Sequence, residues 1–182
     1  MNDDKYPTRI AAFDPGSRVV GYAIMECPTK PRIVEAGIIR LDASRGRLKQ
    51  SLAGRLGALR AEIDGLLRLY GWLDSAAVEG VYSRFPGDAL VLAQARGVIL
   101  AGLGLARVRV DEYAATTVKK RVTGSGRADK AAVRAAVNLQ YPELGDRGPT
   151  DVADALALGL CHCASLVSDE RIRAAKKGYC DG

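Results

Sequence analysis

The stretch Thr150–His162, TDVADALALGLCH, constrains this chain more than any other. Between its ends the only polar side chains are Asp151 and Asp154, at the start of a run of Ala, Leu, Val, Gly and Cys. Spaced three apart on a helix, the two acids project from one side, one turn above the other. The remainder is apolar nearly all round, which predicts a helix buried within the domain rather than lying on its surface. Capping accounts for one acid, since Thr150 or Asp151 can accept the orphan N–H groups of the first turn, where negative charge is favoured. The second asks for more, because adjacent carboxylates repel unless a shared cation offsets them. The question is then whether other isolated acids stand at the ends of apolar strands.

Two do. Arg9 to Phe13 is a short apolar strand that ends in Asp14, and Pro15-Gly16-Ser17 turns the chain sharply. Asp-Pro-Gly in isolation is also an ordinary turn sequence. Val19–Met25 and Ile33–Leu41 complete an antiparallel meander. From Gly46 to Tyr70 the period becomes helical, with Leu48, Leu52, Leu56, Leu59, Ile63, Leu66 and Tyr70 on one stripe. Ala76-Ala77-Val78 then forms a buried strand that stops at Glu79. With the first and fourth strands parallel and adjacent in the centre of a sheet, Asp14 and Glu79 share one edge. The final helix can bring Asp151 and Asp154 against them. Four carboxylates on rigid elements suit two hard cations such as Mg²⁺. Two such ions about 4 Å apart can activate a water and stabilise the leaving oxygen of a phosphodiester, with no nucleophilic side chain. Asp111 and Glu112, after a strand at Arg107–Val110, are rival acids marked only by position. His162, the only histidine, lies about 12 Å along the helix from Asp154 and reads as structural.

The balance is basic, 27 Lys plus Arg against 21 Asp plus Glu, which favours an anionic partner. The charge concentrates around a Gly-Ser-Gly loop, where Lys119, Lys120, Arg121, Arg127 and Lys130 face only Asp129. Such a loop and the helix start behind it can present N–H groups to a phosphate. It does not match G-x-x-x-x-G-K-[ST], so it is not a nucleotide cradle. The segment VYSRFPGD brings together Tyr82, Arg84 and Phe85, groups able to stack on bases and pair with phosphates, or alternatively to anchor the loop to the core. The helix from Asp88 to Gly104 is rich in small residues and apolar on more than one side, so it is either sandwiched in the domain or meets a second subunit.

The four cysteines, Cys27, Cys161, Cys163 and Cys180, make no C-x-x-C pair, and Cys161 and Cys163 point to opposite sides of a helix. Neither zinc nor a disulfide framework is expected, and a reducing cytoplasm fits. The polar N-terminus is unlike a signal peptide, and the longest apolar run, Gly97–Ala106, is too short for a bilayer. We expect an N-terminal extension over 1–8, one domain over 9–167, and a charged tail over 168–182.

Five segments carry a resemblance, in order: FDPGSRVVGYAI (Phe13–Ile24), VEGVY around Glu79, LAQARGVIL (Leu92–Leu100), EYAATTVKKRVTGSGRADK (Glu112–Lys130) and DVADALALGLCHC (Asp151–Cys163). Together they resemble the RuvC family of Holliday junction resolvases, in the RNase H-like and retroviral integrase superfamily. The resemblance implies an α/β fold with a five-stranded mixed sheet, three antiparallel strands then two parallel, and helices on both faces. It implies a homodimeric endonuclease that uses two Mg²⁺ per site, with Mn²⁺ as a substitute. Such an enzyme binds four-way DNA junctions and nicks two strands of like polarity, leaving 5′-phosphate and 3′-hydroxyl ends, and can work with a branch-migration helicase. By position, Asp14, Glu79, Asp151 and Asp154 fall on the family's metal-binding acids. Tyr82 falls on its junction-inserting aromatic, and Lys119 and Lys130 on DNA-contacting cations, to which Arg84, Lys120 and Arg127 add charge. Leu92, Ala93, Arg96, Gly97 and Leu100 lie on the matching dimer helix. Gly80 stands where the family usually has Gln, and the loop after Tyr82 lacks its usual Asn and is one residue shorter. The alternatives are a branched-DNA nuclease of relaxed specificity with the same acids, or a non-catalytic junction-binding protein.

Overall fold

The computed structural model describes residues 8–27, 30–41, 51–80, 86–144 and 149–180, and no side chains at 86–88 or 170–180. Three antiparallel strands come first: β1 (Arg9–Asp14), β2 (Val19–Glu26) and β3 (Arg32–Arg40). Helix α1 (Leu52–Tyr70) carries the chain to β4 (Ser75–Glu79), which lies parallel to β1. Helix α2 (Pro86–Leu105) then returns it to β5 (Arg109–Tyr113), parallel to β4. The sheet order is β3-β2-β1-β4-β5, so β1 and β4 are central. Three helices follow, α3 (Ala115–Thr123), α4 (Lys130–Gln140) and α5 (Thr150–Cys180).

Side chains alternate across a strand, and here the alternation sorts the core into two layers. Ile10, Ala12, Ala23, Met25 and Ala77 face α3, α4 and α5. Ala11, Phe13, Ile24, Ala76 and Val78 face α1 and α2, meeting Leu59, Ile63, Ala95, Ile99 and Leu103. Both faces are covered, as expected for the parallel part of a sheet. The same alternation decides where the strand-end acids point: Asp14 continues the Ile10, Ala12 set and Glu79 continues the Ser75, Ala77 set, so both fall on the α5 side.

Helix α5 packs on β1 and β2 with Ala155, Leu156, Ala157 and Leu158 buried, as its apolar composition requires. By length and composition the stretch Thr150–Asp169 would also pass for a membrane span, but more than half of it is buried inside the domain. Two glycines permit the close approach. A Cβ on Gly21 would meet the Asp151 carbonyl, and one on Gly159 would meet Met25 Sδ. The helix continues to Cys180 through most of the segment expected as a tail.

Two expectations need correction. The cysteines do form a disulfide, Cys27 to Cys163, with Cα atoms 5.4 Å apart, tying the end of β2 to α5. Spacing could not reveal it, because the partners are 136 residues apart in sequence and meet only when α5 docks. Strand β5 also begins later than expected. Arg107 takes a positive φ of 57° in the turn after α2, which delays the strand to Arg109 and places Asp111 and Glu112 inside it rather than beyond its end.

Candidate active site

The site forms where the two central strands end. The β1–β4 ladder runs to Phe13 opposite Val78, so Asp14 and Glu79 are the next residues on adjacent parallel strands. Their carboxyls are close enough for Glu79 to raise the pKa of Asp14. Asp14 also lies opposite Gly21 on β2, the glycine that makes room for the Asp151 carbonyl. The start of α5 is thereby brought over the strand tips. Asp14, Glu79, Asp151 and Asp154 line a single open cavity of about 300 Å³, joined by Lys119 of α3 and Lys130 of α4.

The electrostatics are those of an anionic site short of cations. Burial, then the charge and hydrogen bond of Glu79, then Asp154, push the Asp14 carboxyl up to about 9, with Lys130 opposing. Lys130 Nζ donates to Asp154 Oδ2 at 3.1 Å. Burial alone would lower the pKa of this ammonium, but Asp154, with Asp14 and Asp151, outweighs it and holds it above the ordinary lysine range. All four acids offer oxygen, the donor type that hard divalent cations take, and a cation would offset the burial and the repulsion that together keep Asp14 protonated. The donor set therefore fits such an ion. Among the described residues no three of these groups already stand in a closed ligand cluster.

The basic residues divide into two groups. Lys119 and Lys130 reach the cavity, while Lys120 and Arg127 are exposed on α3 and the loop beyond it. That loop is shaped by Gly124, in the left-handed region at φ 83°, and by Asp129, whose side chain caps α4 through the Ala132 N–H. Tyr82 and Arg84 lie outside the described residues. On α2, Ala93 and Gly97 are exposed, Leu92 and Leu100 half-buried, and open space surrounds Gly97. Arg96, partly buried, pairs with Glu112 of its own chain.

The rival acids are accounted for by ion pairs. Asp111 pairs with Arg109 and Glu112 with Arg96, and neither lines the cavity. His162, expected to be structural, has partners that the sequence did not reveal. It is fully buried, with Nε2 2.7 Å from Ser75 Oγ and Nδ1 2.8 Å from the Tyr113 hydroxyl. Its single occurrence on a buried helix was the only signal.

The chain is similar to known proteins over most of its length. The family model for crossover junction endodeoxyribonuclease RuvC matches residues 10–162. The RuvC of Beijerinckia indica is 37% identical over 155 residues, covering 85% of each chain. That of Acinetobacter baumannii is 36% identical over 154 residues, 84% of this chain and 81% of that one. Among solved structures, Thermus thermophilus RuvC in complex with a Holliday junction substrate superposes with a TM-score of 0.74 at 25% identity, over 85% of this chain and 92% of that one. A yeast mitochondrial Holliday junction resolvase, 11% identical, shares the fold with a TM-score of 0.69 over 96% of this chain and 87% of that one. Strand-end acids, an acid-bearing buried helix and a match over most of the chain coincide, and the chain belongs to the RuvC family of crossover junction endodeoxyribonucleases.

Proposed function

We propose that this chain resolves four-way DNA junctions as a homodimer, nicking two strands of like polarity at symmetrical positions and leaving 5′-phosphate and 3′-hydroxyl ends. The observation that carries the reading is the single cavity lined by Asp14, Glu79, Asp151, Asp154, Lys119 and Lys130. The four carboxylates would hold two Mg²⁺ ions, with Mn²⁺ as a substitute. Bound there, the ions supply Lewis acidity at the phosphate and lower the pKa of the attacking water. The chain's own part is placement. Strand ends and a buried helix hold the acids on rigid elements, and Lys119 and Lys130 lie where a backbone phosphate must pass to reach them. Lys120 and Arg127 extend the positive surface away from the cavity, where counterion release favours binding. Tyr82 and Arg84 are proposed to stack on an opened base and to meet its phosphate.

The exposed stripe of Ala93, Gly97 and Ala101 on α2, with Leu90 and Leu105 at its ends, supports pairing through this helix. A twofold dimer presents two sites to a junction, one per nicked strand. The nuclease domain is proposed to span 9–167, with 1–8 and 168–182 as extensions, in a cytoplasmic protein that can act beside a branch-migration helicase. Relaxed action on other branched DNA is favoured by one feature, the altered sequence at Gly80 and in the loop after it.

The test is an end-labelled four-way junction incubated with Mg²⁺, with nicks mapped on all strands. Symmetrical, ligatable nicks on two opposed strands are expected. Equal rates on forks and flaps would favour the relaxed nuclease, and no cleavage with Mg²⁺ or Mn²⁺ would overturn the reading.

A further inference from the structure

Far from the cavity, at the other end of β4, lies a buried polar rung. Ser75 is 2% exposed and His162 fully buried. The imidazole bonds Ser75 Oγ through Nε2 and the Tyr113 hydroxyl through Nδ1. Asp111 Oδ2 stands 4.0 Å from Nδ1. The grouping has the composition of a hydrolytic dyad, but neither Ser75 nor His162 is open to a substrate. A neutral imidazole donates from one nitrogen and accepts at the other, and both hydroxyls can rotate to suit. All hydrogen-bonding capacity of the ring is therefore engaged, and the bonds run to two different strands.

The spacing gives this rung its consequence. From Ser75 to Glu79 β4 advances about 13 Å at 3.3 Å per residue. From His162 back to Asp154 α5 advances about 12 Å at 1.5 Å per residue. The two elements thus carry matched rungs: Ser75 with His162 at one end, Glu79 with Asp154 and Asp151 at the other. Between them the layer is built of small and aliphatic side chains, Ala77, Ala155 and Leu158 among them, which tolerate a slide of the helix along its axis. Directional hydrogen bonds in a dry interior do not. Tyr113 closes the link. It is the register partner of Glu79, its carbonyl accepts the Gly80 N–H at 2.9 Å, and its hydroxyl reaches His162.

We propose that His162 is a positioning residue for the acidic site: with Ser75 and Tyr113 it locks the axial register of α5 to β4 and β5, and so sets where Asp151 and Asp154 stand relative to Glu79. The inference rests on the four-carboxylate reading above. It is tested with Tyr113→Phe, Ser75→Ala and His162→Gln, each in the full chain, by calorimetric Mn²⁺ binding, junction binding without divalent metal, and junction cleavage. Tyr113→Phe keeps every ring carbon and carries the test if the histidine variant does not fold. The folded variants are expected to bind the junction as the wild type does, to bind Mn²⁺ at least threefold more weakly, and to cleave about tenfold more slowly at fixed Mg²⁺. His162→Gln, which keeps one of the two bonds, should retain more Mn²⁺ affinity than His162→Leu. Wild-type Mn²⁺ affinity in a folded Tyr113→Phe protein of lowered melting temperature would overturn the proposal and leave His162 a core residue. Failure of the underlying reading looks different: Asp14→Asn and Asp151→Asn would then keep both Mn²⁺ binding and cleavage.

Discussion

Adding one methyl group at Gly21 is expected to disable cleavage without unfolding the protein. Gly21 sits on β2 opposite Asp14, and a Cβ there would stand 2.8 Å from the Asp151 carbonyl carbon and closer still to its oxygen, where ordinary contact begins at 3.4 Å. Ala155 Cβ is already 3.4 Å from that position, so the methyl cannot turn aside. The first turn of α5 must retreat by about 1 Å, twice the tolerance of about 0.5 Å within which a functional group must be held. A misplacement of that size costs roughly 100-fold in rate. The overpacking itself costs about 1–3 kcal/mol, a fall of a few degrees to about 10 °C in melting temperature for a domain this long. The assay is single-turnover cleavage of a synthetic four-way junction at saturating Mg²⁺, with a thermal melt of the same sample. Gly57→Ala is the control: nothing lies within 4 Å of its added methyl on α1, so it should leave cleavage intact and stabilise by up to about 1 kcal/mol. Full cleavage by a folded Gly21→Ala protein would show that the position of Asp151 is not set by this contact.

Other consequences concern protons and sulfur. Asp14 is raised from 3.8 to about 9, so its folded form holds a proton that the unfolded chain has lost. Its contribution to metal-free stability is complete at low pH and disappears as the pH rises toward 9. Mg²⁺ binding at neutral pH should accordingly release a proton, seen as a buffer-dependent heat in calorimetry. Burial lowers His162 from 6.5 to about 4, despite the opposing pull of Asp111. That contribution is complete above pH 6.5 and lost as the pH falls through 4. It is worth about 3 kcal/mol and is read as the wild-type minus His162→Gln difference, since Glu26 also titrates in acid. Thiol titration in denaturant should find two more thiols after reduction than before it, those of Cys27 and Cys163. Reduction removes a link across 136 residues and should lower stability by up to about 5 kcal/mol, read from denaturant melts with and without reductant.

Much of this architecture was legible in the chain because hydrophobic period and turn chemistry agreed. The meander, the short apolar β4, and the all-round apolar α5 each have one natural place in a layered α/β fold. The acids stood out for the same reason, as lone charges at the edge of apolar runs. What could not be read depends on distant partners. The Cys27–Cys163 bond, the Arg96–Glu112 pair and the Ser75–His162–Tyr113 rung each join residues whose meeting is created by the docking of helices on the sheet. Gly21 looked like any strand glycine until the Asp151 carbonyl occupied the space above it. The displaced start of β5 followed from a single backbone choice at Arg107, which carries no signal in residue type.

In the proposed function four carboxylates, gathered where β1 and β4 end, act together. Its measurement is Asp14→Asn assayed on a four-way junction for binding and for Mg²⁺-dependent nicking, side by side with the wild type. Junction affinity near that of the wild type, with nicking abolished, is the expected outcome. Nicking at the wild-type rate and positions would mean that the chemistry lies elsewhere in the chain.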